Sequence, residues 1–118
     1  MLKKMKMQAI FLACIIAASS LQQVFAQTGT SAGTITSIAT GWNADAFGVN
    51  TTAPMVNPAG CPSVNNYQAI STNPGYSTHY AALLTAYSTG SQVSFIISNT
   101  TCTQGNPSVI GVIIRPAS

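Results

Sequence analysis

A small, mainly β domain carrying one helix is the fold class this sequence predicts, on three observations. Short runs rich in Ile, Val, Thr and Phe recur between Gly, Pro and Asn breakers, which is the pattern of strands and turns. One stretch changes period: Tyr80, Leu83, Leu84 and Tyr87 recur at three- and four-residue intervals and so share one helix face. The residues after Ala26 number 92, enough for one domain near the lower size limit for a self-sufficient core.

The first 26 residues carry the pattern of a secretory signal peptide. Lys3, Lys4 and Lys6 form a basic start, Ala9 to Ala18 is an apolar run of ten residues, and Val24 and Ala26 place small residues before a cleavage point. Ten apolar residues are too few to span a bilayer as a helix. Cleavage after Ala26 is expected, with a retained anchor or a lipid on Cys14 as the alternative. What remains is a single domain over residues 27–118, secreted or periplasmic and without a membrane span. The formal net charge of +3 then belongs to the leader's lysines, and the exported part keeps only Asp45, Arg115 and His79 as ionisable side chains besides Tyr and Cys.

Taken in order, Gln27 to Gly33 reads as a polar lead-in. "GTITSIATG", ending at Gly41, reads as the first strand, and Trp42 falls in the turn after it. Asp45 to Thr51 is the second strand, with Phe47 and Val49 on one face. "APMVNPAGCP" is a loop, because it holds three prolines and a glycine. Asn66 to Thr72 is the third strand. Ser77 or Thr78 is the expected helix N-cap, and Gly90 fits the left-handed position just past the helix end. Gln92 to Ser98 and Ser108 to Pro116 are the last two strands. The order β-β-β-α-β-β is that of an OB-fold, a small five-stranded barrel, with another small α+β sheet as the alternative that order alone leaves open. The OB-fold helix closes the barrel bottom, a role that suits the Tyr/Leu stripe.

Cys61 and Cys102 remain after cleavage, in a compartment where disulfides persist. A bridge between them would close a loop of about 42 residues and stabilise by roughly 4 kcal/mol in the chain-entropy model. A free thiol pair or half of a metal site are the rival readings. With one His and one Asp to complete a ligand set, neither a metal nor another cofactor is expected.

Composition also narrows function. Catalysis needs positioned acid–base groups, and residues 27–118 contain no Glu, no Lys, one Asp and one His. No nucleophile-elbow glycine pattern accompanies any serine, so a non-catalytic protein is expected. Nucleic-acid binding wants a positive groove, which Arg115 alone cannot supply. Ser, Thr and Asn make up 33 of the 92 residues, side chains that hydrogen-bond hydroxyl-rich ligands without fixed charge. Tyr67, Tyr76, Tyr80 and Tyr87 are candidates to stack on a sugar, although the helix spacing favours a core role for Tyr80 and Tyr87. Trp42, in a loop, is the better recognition candidate. His79 has no partners nearby in sequence and is expected to face solvent or a neighbouring subunit. Asp45 and Arg115 are either one ion pair or two unrelated surface charges.

The helix region resembles the B subunit of subtilase cytotoxin and related bacterial toxin B subunits. Ser77, Thr78, Tyr80, Leu84, Tyr87, Ser88, Thr89, Gly90 and Val93 match that family's helix motif without a gap. "SAGTITSIATG" (Ser31 to Gly41) matches its first strand, including Ile35, Thr36, Thr40 and Gly41. Together the matches cover about a third of the residues after Ala26. The resemblance implies an OB-fold that assembles into a homopentameric ring, binds cell-surface glycans and delivers a toxic A subunit. It places Ser31 at a serine that contacts sialic acid in the family. Two further sugar contacts differ here: Gln27 stands for an aspartate and Ile97 for a tyrosine. Ser31 and Trp42 are therefore the candidate ligand contacts. The alternative is a stand-alone exported structural or protein-interaction domain with no sugar ligand.

Overall fold

The computed structural model describes residues 26–41 and 43–117. The expected leader, apart from Ala26, lies outside the described residues, and so does Trp42. Within them the order is β1 (Gln27–Gly29), β2 (Gly33–Thr40), β3 (Ala46–Thr51), β4 (Tyr67–Ile70), α1 (Tyr76–Thr89), β5 (Gln92–Thr103) and β6 (Asn106–Arg115).

The strand pairings form a circuit. β2 pairs with β3, β3 with β4, β4 with β6, β6 with β5, and β5 back with β2. All are antiparallel except the β4–β6 seam, which is parallel at Gln68↔Ser108. This is the expected OB-fold-like barrel of five strands, with the helix between the third and fourth. Register shifts in β5 between Ile96 and Ile97, and again before Cys102, let a long strand bend around so small a barrel.

Strand alternation decides what faces inward. Phe47 lies across from Ala69 and Val49 across from Tyr67, so these four point to the same side. They join Phe95, Ile97, Val109 and Leu83 in one buried cluster. Tyr67 is anchored at both ends: its ring meets Phe95 edge-on at 5.4 Å, and its hydroxyl accepts the Val56 N–H at 2.8 Å. Burial pushes the Tyr67 hydroxyl pKa up despite that hydrogen bond.

Three features differ from the sequence reading. Gln27–Gly29, expected as part of a polar lead-in, is a strand antiparallel to Ile96–Ser98. It is held by main-chain pairing and by Thr28 Oγ1 donating to Asn99 Oδ1 at 2.6 Å, not by apolar alternation. The helix begins at Tyr76 on Gly75, with no side-chain cap, so neither Ser77 nor Thr78 plays that part. The buried stripe is also rotated. Leu83 and Ala86 are buried, whereas Leu84 and Tyr87 are 43% and 56% exposed. The helix starts two to three residues earlier than expected, and Tyr76 and Tyr80 stack on Phe47 at 5.4 and 5.7 Å, on the same side as buried Leu83. Gly90 does end the helix as expected, at φ 67°.

His79 is half-buried, and its ring packs against Gly75, where a Cβ would come within 2.9 Å. Its Nδ1 is buried without a hydrogen-bond partner, and desolvation lowers its pKa. Asp45 accepts the Tyr76 hydroxyl at 3.0 Å, and Arg115 Nε donates to Ser94 Oγ at 3.3 Å. Burial, then Asp45, raises the Tyr76 pKa.

Candidate functional site

Inward residues build the core, so the outward face of β2, β3 and β4 is free to build a site. Ala39 lies across from Gly48, and Gly48 across from Gln68. Ala39, Gly48 and Gln68, with the Asn66 side chain lying over Gly48, line a cleft of about 590 Å³, a volume in the range of small-molecule sites. Its walls come from three separate parts of the chain: Thr40 and Gly41 at the end of β2, Asn65 and Asn66 before β4, and Gln104 with Asn106 at the β5–β6 turn.

Those walls are locked together. Cys61 and Cys102 form a disulfide with a Cα–Cα distance of 5.8 Å, tying the β3–β4 loop to the end of β5. The Ser63 N–H donates to the Gly105 carbonyl at 2.9 Å, and the Asn65 N–H donates to Asn106 Oδ1 at 3.2 Å. Asn57 braces the cysteine itself, accepting the Cys61 N–H at 2.8 Å and donating to its carbonyl at 2.9 Å. The bridge therefore stabilises the fold and also fixes one wall of the cleft against the other.

The amides are wired as a network. Asn106 Nδ2 donates to Gln68 Oε1 at 2.9 Å, and Gln68 Nε2 donates to Gln104 Oε1. The β5–β6 turn makes this reach possible. Gln104 and Gly105 both take positive φ, 48° and 82°, between the paired residues Thr103 and Asn106, as two-residue hairpin loops of the I′ kind do. Asn66 completes the wall. Its amide lies so close over Gly48 that a Cβ there would stand 2.5 Å from Nδ2. Asn66 Oδ1 is buried with no hydrogen-bond partner, an uncommon state for a buried acceptor.

Ser31 is exposed in the link between β1 and β2, at the opposite end of β2 from the cleft, and does not line it. Trp42 lies outside the described residues. The other family sugar positions separate as well: Gln27 is exposed on β1, and Ile97 is fully buried in the core. Among the described residues no group of three His, Cys, Asp or Glu could hold a metal, and no helix is long and apolar enough to cross a membrane.

No protein family, curated protein or solved structure matches the chain. The geometry of the cleft therefore carries the functional argument. Asn65, Asn66, Gln68, Gln104 and Asn106 were not singled out by the sequence reading. The available signal was the density of carboxamides in "NNYQ" and "QGN", two short runs that sequence distance hides from each other.

Proposed function

We propose that this protein is an exported, non-catalytic binding module that recognises glycans through the amide-lined cleft. The observation that carries the reading is where the cleft lies. It occupies the outward strand face between the loop after β2 and the turn after β5, the surface on which OB-folds take oligonucleotides and oligosaccharides. Of those ligand classes the lining favours sugars. Carboxamides both donate and accept, matching hydroxyl-rich surfaces, while a nucleic acid would call for cations. Among the described residues, Asn, Gln, Thr, Ala, Gly and Phe line the cleft, without an acid–base pair for chemistry.

Self-association is the second part of the reading. Ile110, Ile113 and Ile114 on β6, with Leu84 and Tyr87 on α1, are exposed large apolar side chains, and α1 packs on β6. A homo-oligomer would cover them. The homopentamer carrying a toxic A subunit, implied by the resemblance to toxin B subunits, is the fullest form of this proposal. In the alternative, a protein-interaction domain, the same apolar side chains would meet a different partner and the cleft would bind no sugar.

The test is a glycan array probed with the exported protein, paired with sedimentation velocity. Expected are binding to a defined glycan set and a mass several times that of one chain. Binding to no glycan at high micromolar protein would remove the sugar reading, and a strict monomer would remove the ring.

A further inference from the structure

We infer that the cleft selects uncharged sugars and discriminates against sialylated or sulfated ones. The inference rests on the proposed glycan reading and names the ligand class for that site. Among the described residues, none that lines the cleft carries an ionisable side chain. The sole Lys or Arg after residue 26 is Arg115, at the far end of β6 from Asn106 and engaged with Ser94. The residue nearest in sequence that is charged at neutral pH is Asp45, next to the lining residue Ala46, and its charge is of the wrong sign for an anionic ligand. A carboxylate or sulfate entering the cleft would give up water without gaining a counter-charge.

The hydrogen-bond inventory points the same way. Asn106 has committed its Nδ2 to Gln68 and to the Gln104 carbonyl, and Gln68 Nε2 donates to Gln104. The buried group left unmatched is an acceptor, Asn66 Oδ1. A small shift of the Asn66 side chain would present it to a donor such as a sugar hydroxyl or an acetamido N–H, whereas an ionised carboxylate or sulfate at that point offers none. Asn66 lies over Gly48 and so presents its carboxamide at the cleft surface beside Ala39.

Calorimetry with the exported protein, produced from the full chain, tests this with matched pairs. N-acetyllactosamine and chitobiose are compared with the sialylated and 6-sulfated forms of N-acetyllactosamine. The expected result is binding of a neutral member, with at least tenfold weaker binding of the charged forms. Asn66→Ala should lose at least tenfold in affinity for the neutral sugar at unchanged secondary structure. Gly48→Ala, which displaces the Asn66 amide, should do the same. If either variant fails to fold, Gln104→Ala on the exposed turn replaces it, with the same expected loss. Equal or tighter binding of the sialylated form would overturn the inference while leaving the glycan reading in place. Binding of no sugar would overturn both, and neutral binding unaffected by these variants would overturn the assignment to this cleft.

Discussion

The core beneath α1 and the cleft on the outer strand face are built from different interactions. Leu83, Ala86, Phe47, Tyr76 and Tyr80 meet through apolar burial and ring stacking, which are weakly directional and tolerate repacking. The cleft is held by a disulfide, by Asn57 and by a chain of carboxamides, where each contact depends on angle and reach. The first region supplies folding free energy in bulk. The second fixes the walls of the proposed binding cleft. The contrast implies that stability and recognition can be perturbed separately, with one exception: the disulfide contributes to both.

That exception gives the largest expected effect. Replacing both cysteines, Cys61→Ala with Cys102→Ala, should lower unfolding free energy by about 4 kcal/mol, since the released loop is long. It should also weaken sugar binding more than tenfold, because the segment carrying Asn65 and Asn66 is then held to the β5–β6 turn by non-covalent links: the Ser63–Gly105 and Asn65–Asn106 hydrogen bonds and the Gln68 amide contacts. Urea denaturation and calorimetry on the folded fraction would read the two losses. A stability loss with affinity intact would show that the hydrogen bonds suffice to hold the walls.

Leu83→Ala sharpens the comparison from the other side. Leu83 is fully buried, so truncation should cost about 3 kcal/mol. Its side chain does not line the cleft, so sugar affinity should stay within about twofold of the parent when measured well below the lowered melting temperature, in keeping with additivity of separate sites. A parallel loss of affinity would mean that helix packing transmits to the strand face and that the two regions are not independent.

The same contrast explains how much was legible in the sequence. Apolar periodicity revealed the barrel strands and the helix, because inward residues such as Phe47, Val49 and Val93 must alternate or repeat to reach one core. Gly90 marked the helix end through its own backbone freedom. β1 was hidden because Gln27–Gly29 joins the sheet through main-chain groups, which any sequence offers. The inward helix face was misplaced in part because Tyr76, though four residues before Tyr80, falls ahead of the expected N-cap at Ser77 or Thr78, yet it docks the helix through Phe47 and Asp45. The cleft is a tertiary product: its walls come from residues 39–41, 65–68 and 104–106, and polar residues carry no periodicity that would announce their meeting.

The smallest expected effect is the most specific to this division. Gln104 sits at φ 48°, a left-handed backbone that costs roughly 1 kcal/mol for most residues and less for Asn. Gln104→Asn should therefore stabilise the hairpin by about 0.5 kcal/mol. The side chain loses one methylene, so its carbonyl no longer reaches Gln68 Nε2, and the amide wall loses a link. Thermal melts should show a small rise in melting temperature, and calorimetry a several-fold fall in sugar affinity. The glutamine is then the residue that trades turn stability for reach across the cleft. A variant both more stable and equally tight in binding would show that the Gln68–Gln104 link has no part in holding the ligand, leaving Asn66 and Asn106 as the groups that define the site.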